Sequence, residues 1–225
     1  MKRAFSRLWV AVGVAWLLVA PGAGAEPLVV ERAIARFWAP DTGGVRSPHF
    51  VYERVLAFEA RLEALSDSSS DENEPFRDRH LTAALERHVA ETLLSSLHID
   101  PEPTEAELGR QIQAARARLV ERVGGEEALA RAAQAEGMGT RDVLEVVRRQ
   151  ARASLYLDRM VAPMLDPSTA ELRTLHRTRH NPFRDLPFER VEPGLRRWYV
   201  AQRLAAAVQG FYQNARSRIT LTLLD

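Results

Sequence analysis

Beyond residue 50 the apolar positions of the chain fall mostly at steps of three and four. Val51, Val55, Phe58, Leu62 and Leu65 form one such stripe, the signature of an amphipathic helix. Leu81, Leu85, Val89, Leu93 and Leu97 form a second over about 78–97, closed by His98-Ile99-Asp100-Pro101. A third carries Leu108, Ile112, Ala115, Leu119 and Val123 and stops at Gly124-Gly125. A short fourth, with Leu129, Ala132 and Ala133, stops at Gly137. The fifth carries Val143, Leu144, Val147, Ala151, Leu155 and Met160 and leads to Pro163. Start signals stand where these stripes begin. Thr104-Glu105-Ala106-Glu107 and Ser168-Thr169-Ala170-Glu171 have capping-box spacing, in which the hydroxyl accepts from the third amide and the glutamate returns the bond. The second of these opens a short helix through Leu172 and Leu175. Thr140 reads as the cap of the fifth helix, and Ser47-Pro48 as cap and first residue of the first.

The ends of the chain follow a different period. Val29 to Trp38 is rich in β-branched and aromatic residues and runs into Pro40 and Gly43-Gly44, which predicts a strand and a turn. Ile219, Leu221 and Leu223 alternate with Thr220 and Thr222, a second strand. A lone strand leaves its backbone groups unpaired, so the two are expected to pair. Trp198 to Tyr212 has Arg203 as its one charged residue and is apolar on several faces, which predicts a central strut wrapped by other helices. The serine-rich, acidic stretch 66–77 cannot bury apolar surface and reads as a flexible loop. The expected fold is mainly α: a single module of six to seven helices with a small sheet joining its N-terminal and C-terminal strands.

The N-terminus changes the picture of charge and compartment. Lys2, Arg3 and Arg7 precede an uncharged apolar run, Leu8 to Ala20, and Ala23-Gly24-Ala25 is a small-x-small cleavage site. Residues 1–25 therefore read as a signal peptide cleaved before Glu26, leaving 26–225 as the mature module. An uncleaved anchor is the alternative, although the run is shorter than the roughly 18–20 residues of a spanning helix. The chain has no cysteine, which excludes disulfides, thiolate metal sites and a lipidated cysteine. A Gram-negative periplasm is the expected location, without stable membrane insertion after cleavage. Cleavage removes three of the 31 basic residues and none of the 30 acidic ones, so 28 face 30. That near-neutral balance argues against a nucleic-acid partner.

Candidate chemistry is sparse. His176 and His180 lie one helical turn apart, but two arginines separate them and no carboxylate or cysteine close by completes a metal shell. A solvated helix end suits them better, so no metal site and no cofactor is expected. His88 and Glu91 are spaced i, i+3 on the second helix and read as a surface ion pair, with acid/base chemistry as the alternative. The chain has no Gly-x-Ser-x-Gly, no His-Glu-x-x-His and no phosphate-binding glycine loop. It is not expected to be an enzyme, and no catalytic residue is assigned.

The order of the pieces resembles a known family. Val30 to Ala35 is similar to the opening strand of SurA-type periplasmic chaperones, relatives of the trigger-factor and foldase chaperones, and Val45-Arg46-Ser47 to its entry into the first helix. Leu81 to Leu97 resembles the family's alanine-leucine helix. Thr104 to Leu108, Gly124 to Leu129, Gly137 to Thr140, and Val146 to Gln150 running into Leu155 to Arg159 follow the family order. Phe188 to Val191 and Ile219 to Leu221 resemble its closing helix and strand. Many relatives carry parvulin-type prolyl isomerase domains before that closing helix. Here only the junction 181–188 lies between His180 and Glu189, far short of the ~50 residues a domain needs.

The resemblance implies an ATP-independent chaperone that holds unfolded or extended polypeptides, expected to be outer-membrane or secreted clients. Two other readings stay open: a prolyl isomerase relative with residual or no activity, and a structural subunit for one dedicated envelope partner. Holding a varied chain calls for apolar, adaptable side chains. On that ground Phe37, Trp38, Phe50, Tyr52, Met138, Met160, Met164, Trp198 and Tyr199 are the candidate peptide-binding residues.

Overall fold

In a computed structural model of the protein the chain divides into Met1–Val30 and Glu31–Asp225. The structure describes residues 31–39, 45–69, 76–178, 181–216 and 219–224. The segment read as a signal peptide (1–25) and half of the acidic stretch 66–77 (70–75) lie outside these residues.

The fold is mainly α, as its periodicity predicts. Strands β1 (Ala33–Ala39) and β2 (Val45–Tyr52) precede helices α1 (Glu53–Ser66), α2 (Asp78–Ser96), α3 (Glu105–Arg122), α4 (Glu126–Ala135) and α5 (Thr140–Tyr156). Helix α5 runs on into a π turn, Leu157–Val161, and a 3₁₀ turn, Ala162–Leu165. Helices α6 (Thr169–Arg177) and α7 (Phe188–Arg216) and strand β3 (Thr220–Leu223) complete the chain. The two ends do meet. β3 pairs antiparallel with β1, Phe37 opposite Leu221, in a sheet of order β2-β1-β3.

Strand β2 departs from expectation. Ser47-Pro48 does not start a helix; the strand continues to Tyr52, and α1 begins at Glu53. The β-prone run Phe50-Val51-Tyr52 prevails there, and β2 is an edge strand, where a proline's missing N–H costs no internal ladder bond.

Helix α1 lies between two clusters. Phe58 and Leu62 pack with Leu119 of α3, Leu129 of α4 and Val147 of α5. Leu56 and Ala60 pack with Phe37 and Val51 of the sheet and with Val89 and Leu93 of α2. Both capping boxes form: the Glu107 amide donates to Thr104 Oγ1 at 3.3 Å and the Glu171 amide to Ser168 Oγ at 3.2 Å. At α5 the cap is Gly139 rather than Thr140, its amide donating to Asp142 Oδ2 at 2.9 Å. The first residues after α1 are tied down, because Asp67 accepts from the Ser69 amide and hydroxyl and lies 2.7 Å from Arg79.

The junction is a built turn. Buried Asn181 donates from Nδ2 to the carbonyls of Leu175, His176 and Thr178 at 2.9–3.2 Å, which caps the end of α6. Its Oδ1 accepts the Phe183 amide at 2.9 Å. The Phe183 ring then rests on Gly194 of α7, where a Cβ would stand 3.3 Å from a ring carbon. Eight residues thus fix α6 against α7.

Helix α7 is not the strut expected from its composition. Among its described side chains only Val191 and Leu195 are buried. It packs on α6 and the 3₁₀ turn near its start, and Phe211 reaches the sheet cluster near its end. Ala201, Ala205 and Ala206 face solvent in between.

Candidate binding groove

Helices α2, α3 and α5 do not close on one another along their whole length. Between them lies an open cavity of about 520 Å³, within the range of ligand pockets. Each helix supplies one stripe of residues at helical spacing. Ala83, Ala90 and Leu94 come from α2, Ala115 and Leu119 from α3, and Ala153 from α5, with Leu157 just beyond it. Val208 and Gln209 of α7 border the same space. The floor is alanine-rich, and the short side chains are what leave the space open. The rim is polar, with Glu86, Glu91 and Arg87 on α2, Arg118 and Arg122 on α3, and Gln150 and Ser154 on α5.

Beneath the α2 wall lies a buried charge cluster. Glu59 of α1 and His88 are both under a tenth exposed, and His88 Nδ1 stands 2.9 Å from Glu59 Oε2. Arg149 of α5 donates to Glu59 from Nη2, and from Nε to Glu91 Oε2 at 3.3 Å. Burial pushes the Glu59 carboxyl up, but Arg149 and His88 outweigh it and hold it below its ordinary value. Glu91 goes the other way. Burial, with the negative charge of Glu59 adding to it against the pull of Arg149, raises it to about 7. The sequence pairing of His88 with Glu91 is therefore corrected: each has a partner on another helix, and His88 is interior rather than on the surface. Helical spacing cannot show that α1 and α5 bring a nearer carboxylate and a guanidinium.

The nine candidate side chains do not converge on one site, and none lines the groove. Phe37 is fully buried in the sheet core, which takes it out of any binding surface, because β1 alternates and position 37 faces the helices. Trp38 and Phe50 are exposed on the opposite face of the sheet, with Tyr52 exposed at the end of β2. Met138 is buried on the floor of a second hollow, of about 590 Å³, between α3, α4 and α5. Met160 is half-buried in the π turn and Met164 is 74 % exposed. Trp198 and Tyr199 are half-buried on α7, where the Arg203 guanidinium lies 5.6 Å over the Tyr199 ring. The groove's own signal, four alanines spread over three helices, is weak because alanine is also the best helix former.

His176 Nε2 lies 2.9 Å from the Leu186 carbonyl, and its ring meets the edge of Phe188. His180 lies outside the described residues, among which no group of three His, Asp or Glu could hold a metal ion. No helix among them is long and apolar enough to cross a membrane. No family model matches the chain, and neither a curated protein nor a solved structure matches it.

Proposed function

We propose that the protein is an ATP-independent chaperone of the SurA type, lacking the isomerase insert, that holds unfolded outer-membrane or secreted polypeptides in the periplasm. The observation that carries the reading is the α2–α3–α5 groove. Its apolar floor is wide enough for side chains of varied shape, and its polar rim can meet an extended backbone. The family order of the sequence and the signal-like N-terminus supply the cell biology. In this reading the candidate peptide-binding residues yield to the groove residues, with Ala83, Leu157 and Val208 as the accessible apolar contacts over a buried floor of Leu94, Leu119 and Ala153.

The test is suppression of aggregation of a urea-unfolded porin on dilution, without nucleotide. The purified protein should suppress it at modest stoichiometric excess. Ser154→Trp, which fills the groove from α5, should lose most of that effect while keeping its circular dichroism. Failure of the unaltered protein would sink the proposal, and full activity of the filled variant would move the site elsewhere. A proline-peptide assay should give no isomerisation above background.

A further inference from the structure

Glu91 links the groove to the buried cluster. It stands on the α2 wall, and its carboxylate shares Arg149 with Glu59. Two carboxylates thus answer to one guanidinium, with His88 hydrogen-bonded to Glu59. Arg87 also draws the Glu91 carboxyl down, but burial outweighs it together with Arg149. Arg87, on its own helix, is engaged by Glu63 of α1 at 3.0 Å. Arg152 of α5 donates to the Ser95 carbonyl at 2.7 Å and lies 3.5 Å from Glu102. Arg118 and Arg122 belong to the α3 rim, Glu86 adds a negative charge on α2, and α7 brings the uncharged Gln209.

We propose that an extended apolar chain seated in the groove is bound by Glu91 as the neutral acid, so that binding takes up a proton. This rests on the holding reading of the same groove. A chain laid along the α2 wall would close off the 16 % exposure that the Glu91 side chain keeps. The charged form would then keep its share of Arg149 and the pull of Arg87, whereas the neutral acid gains an O–H donor for a carbonyl of the bound chain. Glu91 also holds its proton near neutrality, at about 7, so the exchange falls within the working range of pH.

The probe is a labelled apolar peptide cut from an unfolded porin, titrated calorimetrically at pH 6 and pH 8. Two buffers of different ionisation heat give the protons taken up. Binding should be about tenfold weaker at pH 8 than at pH 6, with uptake approaching one proton at pH 8. Glu91→Gln should bind at pH 8 as the unaltered protein does at pH 6, with no uptake at that site. Affinity independent of pH, or a Glu91→Gln variant that keeps the full pH slope, would overturn the proposal and leave the holding reading standing. Absence of peptide binding at every pH would remove both. The proton count on the unaltered protein decides the matter even if the variant does not fold.

Discussion

Helices α2 and α7 border the same groove, and each inverts what its composition suggests. α2 is studded with charge, yet it buries His80, Ala84, His88, Val89, Ala90, Leu93 and Leu94. α7 carries one charged residue between Trp198 and Tyr212, yet that stretch has no fully buried residue among its described side chains. The difference lies in neighbours. α2 packs against α1 on one side and α5 on the other, and both bring charges that match its own. α7 is held near its ends by α6, the 3₁₀ turn and the sheet. Its outward positions in that stretch are alanine (Ala201, Ala205, Ala206) or polar (Gln202, Arg203, Gln209), which are cheap to expose. Partners, rather than apolar content, decide which helix is core.

The largest effect should come from taking away α2's charge partner. Arg149→Met would leave the buried Glu59 and the half-buried Glu91 carboxylates without their guanidinium, a change that costs about 3–5 kcal/mol. Urea unfolding at pH 8 measures it. The loss should shrink at pH 5, where Glu91 takes a proton and one of the stranded charges disappears. A loss of the same size at both pH values would mean that Arg149 contributes by packing alone.

Glu91→Gln should act with the opposite sign. The folded chain holds a proton on Glu91 up to about 7, whereas the unfolded chain releases it near 4.5. Between those values the folded state binds more protons, so this group's contribution to stability falls as pH rises through the window. The uncharged glutamine escapes that penalty and still offers Arg149 an oxygen. The variant should gain on the order of 1–3 kcal/mol at pH 8 and nothing near pH 4. Glu59, whose carboxyl is lowered, contributes in the other sense: its stability is present above its unfolded value and is lost as pH falls through the folded one. A Glu91→Gln protein less stable than its parent at pH 8 would show that the Arg149 bond outweighs the burial of charge.

What was legible in the sequence follows the same division. Local signals held: the Thr104 and Ser168 boxes, the glycine stops at 124 and 137, and the period-two strand that pairs with β1. Phe58, Leu62, Leu93 and Leu119 are buried as their spacing predicts. What failed needed a third dimension. β2 was hidden because Ser-Pro is an equally good helix start until an edge position beside β1 is available. The groove was hidden because it is a gap between three helices, marked only by alanines of the kind any helix carries. The cluster on Arg149 was hidden because its members come from residues 59, 88, 91 and 149.

The smallest effect bears most directly on the comparison. Leu204 sits half-buried in the middle of α7, while Leu93 of α2 is 1 % exposed between the sheet and α1. Leu93→Ala removes packed methyl groups from a site whose walls cannot fully collapse, which costs about 2–5 kcal/mol. Leu204→Ala removes a side chain already partly in water and leaves a good helix former, so it should cost less than about 1 kcal/mol. Urea midpoints of the two variants, read at equal slope, give the ratio. Equal losses would make α7 the core strut that its apolar run suggests. A small loss at Leu204, together with faster amide exchange in the middle of α7 than in α2, would show a helix anchored at its ends and free to give way along the groove.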